Sequence, residues 1–302
     1  MDVSVVIPTL NGRERLAGAL DSLAAHAPSV EVVVVNGPSA DGTTGMIRGR
    51  NDVDVLVEVS TRTLNVARNA GVEVATGEVI AFLAHDLVVE SGWLETVRKT
   101  FQTTGADAVA GPSRRRLRAG VTAVEREHSS LADGEVVFFD GGNVALRDAA
   151  LRAVDGFDEY LQTGGARDLA HRIAGAGRRI GWAEGMAATH EYEADGGRAG
   201  RDWDWKYRAL AYRLVKNYGL RPQVVTTTCR EALSDAVTTL REVARGEARP
   251  TAWLGDGRDV VWGAVTGVSD ALVARGRDRS AARNPHGLSA HGDRAVAVYD
   301  WR

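Results

Sequence analysis

The first half of the chain alternates short apolar runs with stretches in which apolar residues return every three or four positions. Val3 to Ile7, Glu31 to Val35, Val53 to Val59 and Val79 to Leu83 are the runs, each with the length and valine content of a buried strand. Between them, Leu16, Leu20 and Leu23 recur at helical spacing, Asn36 to Thr43 is a turn-rich stretch expected to open a short helix, and Asn65 to Gly71 begins another. Gly92-Trp93-Leu94 starts a further helix and Ala106 to Ala110 a short strand. Strands alternating with helices predict an α/β fold, with a mostly parallel central sheet and helices on both faces. Farther on, Trp203, Tyr207, Leu210 and Leu214 form one helical stripe, and Glu231 to Ala244 and Asp259 to Ala274 read as helices around a linker at Gly246 to Pro250. Ala295 to Tyr299 suits an edge strand or a packed clamp. The expected division is a catalytic-type domain over 1–221 and a helical extension with a docked tail over 222–302. Trp253, Trp262, Tyr299 and Trp301 are too apolar for a solvated tail and are expected to pack.

The central run, V-I-A-F-L, stops at Ala84-His85-Asp86. Open α/β sheets place their ligands at the carboxyl ends of such strands. Asp86 is a hard oxygen donor suited to Mg²⁺ or Mn²⁺ beside a diphosphate, or else it caps a turn. In F-F-D-G-G-N-V-A-L-R at 138–147, paired glycines let backbone approach a ligand and Asn143 offers donors and acceptors, unless the segment is a plain β-turn. Arg114-Arg115-Arg116-Leu117-Arg118 is the densest basic cluster, either a solvated face or a phosphate contact. The first crossover carries no G-x-G-x-x-G, which removes the main support for dinucleotide binding. No glycine-rich, lysine-containing loop near the start points to a nucleotidyltransferase.

Composition narrows the classes. At 302 residues the chain can bury a sizeable core, and 44% hydrophobic with 25% charged residues is ordinary for a globular protein. A formal net charge of -3 does not suggest a nucleic-acid partner. Lysine occurs at 99, 206 and 216, and the remaining positive charge is arginine. The single Cys229 cannot build an intrachain disulfide framework or a cysteine-rich zinc site. The first apolar run reads directly into a strand, so no signal peptide is expected, and no apolar stretch approaches a membrane span. The expected location is cytoplasmic. The Trp203 stripe, with Arg201, Lys206, Arg208, Arg213 and Lys216 around it, is either a packed helix or an interfacial one in peripheral contact with anionic lipid.

The order of motifs resembles the inverting family 2 glycosyltransferases, which have the GT-A fold. The carriers are S-V-V-I-P-T-L-N at 4–11, N-G-P-S-A-D-G-T at 36–43, A-R-N-A-G at 67–71, F-L-A-H-D at 82–86, G-G-N-V-A-L-R at 141–147, G-F-D-E at 156–159, and D-L-A-H-R-I with G-R-R-I between 168 and 180. The resemblance implies transfer of a sugar from a nucleotide-sugar donor to a hydroxyl of a glycan or lipid-linked acceptor, in the synthesis of cell-surface polysaccharide or in protein glycosylation. It implies that Pro8, Thr9 and Asn11 line the nucleotide pocket with Asn36 to Asp41, and that Arg68 lies near the diphosphate. Asp86 and His190 would hold Mn²⁺ or Mg²⁺, and Gly141, Gly142 and Asn143 would shape the sugar and acceptor pocket. The chain departs from the family at Ala84 and His85 and at Asn36 and Gly37, where acidic residues are usual. It departs again at Gly165 and Ala166, which stand where the family keeps the E-D pair that supplies its base. Asp168 is the nearest substitute, with His171 one helical turn away to orient it; otherwise Asp168 caps the helix and His171 sits on its polar face. The alternative function is a glycosyltransferase-like binding protein that keeps the donor and has lost or weakened the chemistry.

Overall fold

The computed structural model describes residues 1–117, 120–124, 127–131, 134–190, 202–245, 250–280 and 282–302, with side chains in these ranges except at 116–135, 250–254 and 256. Arg201, residues 246–249 of the expected linker and the side chains of Arg116, Leu117, Arg118 and Trp253 lie outside the described residues. Contacts group the chain into two compact units. One contains Met1–Ser129, Val136–Asp195 and His286–Arg302; the other contains Ser130–Glu135 and Gly196–Pro285. The division differs from a cut at residue 221, because residues 203–218 group with the later helices and the last segment returns to the sheet.

In the first unit the alternating pattern becomes β1 (Val3–Thr9), α1 (Arg13–His26), β2 (Glu31–Asn36), α2 (Thr43–Arg48), β3 (Val55–Val59), α3 (Leu64–Val74) and β4 (Val79–Leu83). There follow β5 (Leu87–Val89), α4 (Trp93–Thr104), β6 (Ala108–Ala110), β7 (Ser113–Leu117), β8 (Gly120–Val124), β9 (Glu127–Leu131), β10 (Gly134–Phe138), β11 (Asn143–Arg147), α5 (Asp148–Ala153), α6 (Gly165–Gly175), β12 (Ile180–Trp182) and β13 (Ala188–His190). The first four strands of the repeat pair in parallel in the order β4-β1-β2-β3. Their unbroken apolar runs are explained by a core on each face. Val5, Ile7 and Val34 pack with Leu16 and Leu20 of α1 on one side, while Val6, Val33 and Val35 pack with Ala67 and Ala70 of α3 on the other.

The sheet is completed to eight strands, β12-β6-β11-β4-β1-β2-β3-β14, where β14 is Ala295–Asp300. β11 runs antiparallel between β4 and β6, which sets Asn143 opposite Leu83 and carries the 140–142 turn to the carboxyl end of β4. β14 pairs antiparallel with β3, so the last apolar run is an edge strand. Tyr299 lies under the Arg48 guanidinium at 4.3 Å and stacks on Trp301 at 6.2 Å. A second sheet, β5-β13-β7-β8, places His190 between Leu87 and Arg115.

The second unit is helical: α7 (Trp203–Tyr218), α8 (Pro222–Ala244) and α9 (Pro250–Arg277). α8 and α9 start earlier than the apolar pattern indicated, each on a proline, whose fixed φ and missing N–H suit the first helical position. The Trp203 stripe is not an interfacial surface. Trp203, Tyr207, Leu214 and Lys216 are buried within the unit, Lys206 pairs with Asp235, and Arg208 pairs with Asp270 at 2.9 Å. Those carboxylates and the burial remove the basic, apolar face that anionic lipid would need. α9 lies close on α7 because Gly263 and Gly267 carry no Cβ; one added at either would strike the carbonyl of Asp204 or Arg208. Trp262, expected to pack, is 69% exposed. Among the described residues no helix is long and apolar enough to cross a membrane.

Candidate active site

The candidate site forms where β1, β2 and β4 end, on the side of the sheet where ligands meet parallel strands. The loops after β1 and β2 are tied together. Asn11, in a left-handed conformation at φ 50°, accepts from the Ala40 N–H at 2.8 Å and its own N–H donates to Ser39 Oγ at 2.9 Å. Asp41 accepts from the Arg13 N–H at 3.0 Å, and the Thr43 hydroxyl, before any other cause, holds its carboxyl below the usual range. Asn36 is buried, donating to Thr44 Oγ1 and accepting from Ser39 Oγ. These three residues shape the loops.

A cleft of about 190 Å³ beside them is lined by Pro8, Thr9, Leu10, Gly37, Thr61 to Leu64, Ala67 and His85, so of the expected nucleotide residues Pro8, Thr9 and, from the 36–41 stretch, Gly37 face it. Thr9 Oγ1 is buried with no hydrogen-bond partner among the described residues, an acceptor and donor that a ligand can satisfy. His85 stands where the family pattern has an acid. Burial pushes its imidazole pKa down, and its ring bonds to the Pro8 backbone and packs over Gly12.

Asp86, in the turn between β4 and β5, and His190, on the β13 strand paired with β5, converge: Nδ1 of the imidazole lies 3.1 Å from Oδ2 of the carboxylate. The hydrogen bond to His190 lowers the Asp86 pKa against the opposing effect of burial. Both side chains keep some exposure, 31% for Asp86 and 15% for His190. Among the described residues no third histidine, cysteine or acid joins them in a group that could hold a metal.

A larger cleft, about 420 Å³, adjoins the first through Leu64. Arg68 on α3 reaches into it, with Nη2 donating to the Gly141 carbonyl at 2.7 Å and Nη1 to Asn65 Oδ1 at 3.2 Å, and with Nε lacking a partner among the described residues. Burial pushes its guanidinium down to about 10, against the pull of Asp140, so it stays charged at neutral pH. Phe138, Phe139, Asp140 and Gly141 line it together with Gln162 to Arg167, and the two segments touch where the Arg167 guanidinium lies 4.9 Å over the Phe138 ring. Gly141 is required there: a Cβ would come within 2.6 Å of Arg68 Nη2 and 3.0 Å of Ala166 Cβ. In the basic cluster, Arg114 pairs with Glu90 at 2.6 Å and Arg115 lines the cleft, so the run divides between an ion pair and the site.

Three expectations are corrected by burial. Asp168 does not face the cleft. It is fully enclosed and accepts from Arg172 Nε at 2.8 Å, one turn along α6. His171 is 2% exposed and sits edge-on to Phe138 at 5.1 Å, so it cannot orient a base in the cleft. Asn143 does not shape a sugar pocket. Its Nδ2 donates to the carbonyls of Met186 and Pro112 and its Oδ1 accepts from Trp93 Nε1, all out of contact with solvent. Gly142 packs against Ala84 and Leu87 instead of lining the cleft. Gly165 has no room for an acid, since Asn65, bonded to the carbonyls of Asp158 and Leu161, fills the space; a Cβ at 165 would lie 2.6 Å from Asn65 Oδ1. The residues missed, Asn65, Asp140 and the 61–64 segment, carried one legible signal: Asp140 immediately precedes the paired glycines.

Comparison with known proteins agrees with this arrangement. The model of glycosyl transferase family 2 matches residues 4–155. Glycosyltransferase AglE of Haloferax volcanii is 29% identical over 201 residues, covering 62% of this chain and 66% of that protein. Pre-mycofactocin glycosyltransferase of Mycobacterium tuberculosis is 30% identical over 217 residues, covering 67% of this chain and 44% of that one. The matches thus span less than two thirds of these relatives' lengths. Among solved structures, a mannosyltransferase of Pyrobaculum calidifontis in complex with GDP-Man and Mn²⁺ superposes with a TM-score of 0.57 at 18% identity, over 89% of this chain and 87% of that one. TarS of S. aureus, in complex with UDP-GlcNAc, gives 0.57 at 18% identity over 76% and 70%. At that identity the likeness is one of fold, the GT-A fold. The family pattern covers half of the chain and begins in the first strand of that fold, so the chain belongs to glycosyl transferase family 2.

Proposed function

We propose that the protein transfers a glycosyl group from a nucleoside diphosphate sugar to a hydroxyl of a glycan or lipid-linked acceptor, with inversion at the anomeric carbon. The observation that carries this reading is the pair of adjoining clefts at the strand ends, joined at Leu64, with Asp86 following the cleft-lining His85. The smaller cleft suits the nucleoside, with Thr9 Oγ1 as a polar group awaiting a partner. Arg68, charged and with its Nε unpaired among the described residues, suits the diphosphate at the junction. The larger cleft takes the sugar and the acceptor.

Mn²⁺ or Mg²⁺ is the cofactor of this reading, and the donor set fits it. Asp86 brings a carboxylate oxygen and His190 an imidazole nitrogen, a mixture that favours Mn²⁺, and two protein ligands leave positions for diphosphate oxygens and water. When bound, the ion neutralises charge on the departing diphosphate. The Mn²⁺ complex of the Pyrobaculum mannosyltransferase supports the choice. Asp86→Ala should abolish the Mn²⁺-dependent part of donor affinity, read by calorimetry with GDP- and UDP-sugars, without altering the thermal transition. Equal affinity in both proteins would refute the metal role. The second reading, donor binding without turnover, is favoured by one observation: neither Gly165 nor Ala166 supplies an acid. Release of nucleoside diphosphate from a bound donor separates the two.

A further inference from the structure

We infer that Asp140 is the catalytic base, the carboxylate that takes the proton from the acceptor hydroxyl. The inference rests on the glycosyl-transfer reading. An inverting displacement needs a proton acceptor on the face of the sugar opposite the diphosphate. Position 165 is filled by Asn65, position 166 is alanine, and Asp168 is committed to Arg172 in the interior. Asp140 is the single acid among the described residues that line the larger cleft.

Its place in the fold supports the role. The turn that holds Asp140 packs against the position where the family keeps its base, since a Cβ on the adjacent Gly141 would sit 3.0 Å from Ala166 Cβ. The turn is fixed from three sides. Arg68 holds the Gly141 carbonyl, the Ala84 N–H donates to the Gly142 carbonyl at 2.9 Å, and the Asn143 N–H donates to the Asp140 carbonyl at 3.2 Å. The side chain is oriented as well, because Oδ1 accepts from the Gly142 N–H at 2.9 Å. Among the described residues nothing bonds to Oδ2, which leaves it for an acceptor hydroxyl. The Ala84 link joins the turn to the strand end that carries Asp86, so base and metal site share one rigid support.

In the step, the acceptor oxygen forms a bond to the anomeric carbon as the bond from that carbon to the diphosphate oxygen breaks. The electron pair leaves with the nucleoside diphosphate, and the acceptor proton passes to Asp140 Oδ2. Water entering as acceptor follows the same course, which makes donor hydrolysis a usable probe.

The test compares wild type, Asp140→Asn and Asp140→Glu with Mn²⁺ and a panel of GDP- and UDP-sugars, measuring donor affinity by calorimetry and release of nucleoside diphosphate. Asp140→Asn should bind donor as wild type does and lose turnover by about 10²–10⁴-fold, the usual contribution of a positioned base. Asp140→Glu should retain more of it. Sodium azide, a nucleophile with no proton to surrender, should restore turnover of Asp140→Asn and yield a glycosyl azide. Turnover of Asp140→Asn at the wild-type rate, or a loss that azide does not repair, overturns the base role while glycosyl transfer stands. A wild type that binds donor without releasing nucleoside diphosphate also overturns it and leaves the binding reading. A wild type that binds no donor refutes the glycosyl-transfer reading itself, and the base role with it.

Discussion

Replacing Asp168 should weaken the fold and leave the donor site intact. The Asp168 and Arg172 side chains are both 0% exposed, with Nε and Oδ2 2.8 Å apart. Arg172 Nη1 also donates to the Val154 carbonyl, and Nη2 has no hydrogen-bond partner among the described residues. Around them lie Leu169, Ile173, Val154 and Phe157 of one apolar core. Asp168→Ala would therefore leave a full guanidinium charge in that core with one carbonyl for company. Breaking such a pair from one side costs about 3–5 kcal/mol, a large share of the about 5–15 kcal/mol that holds a domain together. Asp168→Asn keeps an oxygen for Nε and should cost about 1–3 kcal/mol. Removing both charges, as Asp168→Leu with Arg172→Met, should recover most of the loss, because the uncompensated charge and not the missing contact is the main penalty. Urea unfolding followed by tryptophan fluorescence gives the order of the four proteins, and calorimetry below the transition should give unchanged donor affinity. An Asp168→Ala protein as stable as wild type, but unable to turn over a donor it binds, would refute this assignment and return the residue to catalysis.

Restoring the family's acid by Gly165→Glu should not add activity; it should lower the unfolding midpoint in the same assay, since the new Cβ must displace Asn65 and its bonds to Asp158 and Leu161. Glu31 connects β1, the 76–77 turn and the chain end: burial raises its pKa, but hydrogen bonds from Ser4, Thr76 and Arg302 outweigh this and hold it below the usual value. Its contribution is therefore fully present above the ordinary glutamate pKa and is lost as pH falls through the lowered folded value, so Glu31→Gln should flatten the acid limb of stability against pH and leave the neutral limb parallel to wild type.

The parallel core was legible because its strands are covered on both faces, and only a continuous apolar run satisfies that requirement. Val3 to Ile7, Glu31 to Val35 and Val79 to Leu83 became β1, β2 and β4 on that ground alone. The end of the central strand likewise marked Asp86, since the switch from apolar to polar residues locates the ligand side of the sheet. The meeting of Asp86 with His190, 104 positions apart, was named through resemblance and required β13 to pair with β5. What polar residues do was decided by tertiary structure, because an Asn, Asp or His carries the same donors and acceptors whether it meets a ligand or its own backbone. Asn143 and Asp168 met their own chain, in hydrogen bonds and an ion pair closed off from solvent. Asp140 was not singled out from the sequence, because it lies far along the chain from the 165–168 stretch, yet the antiparallel β11 brings its turn against Ala166. The aromatic, basic face of α7 looked like a surface in isolation; the partners it meets in its unit, Asp235, Asp270 and the glycines of α9, are set by packing that no local pattern encodes.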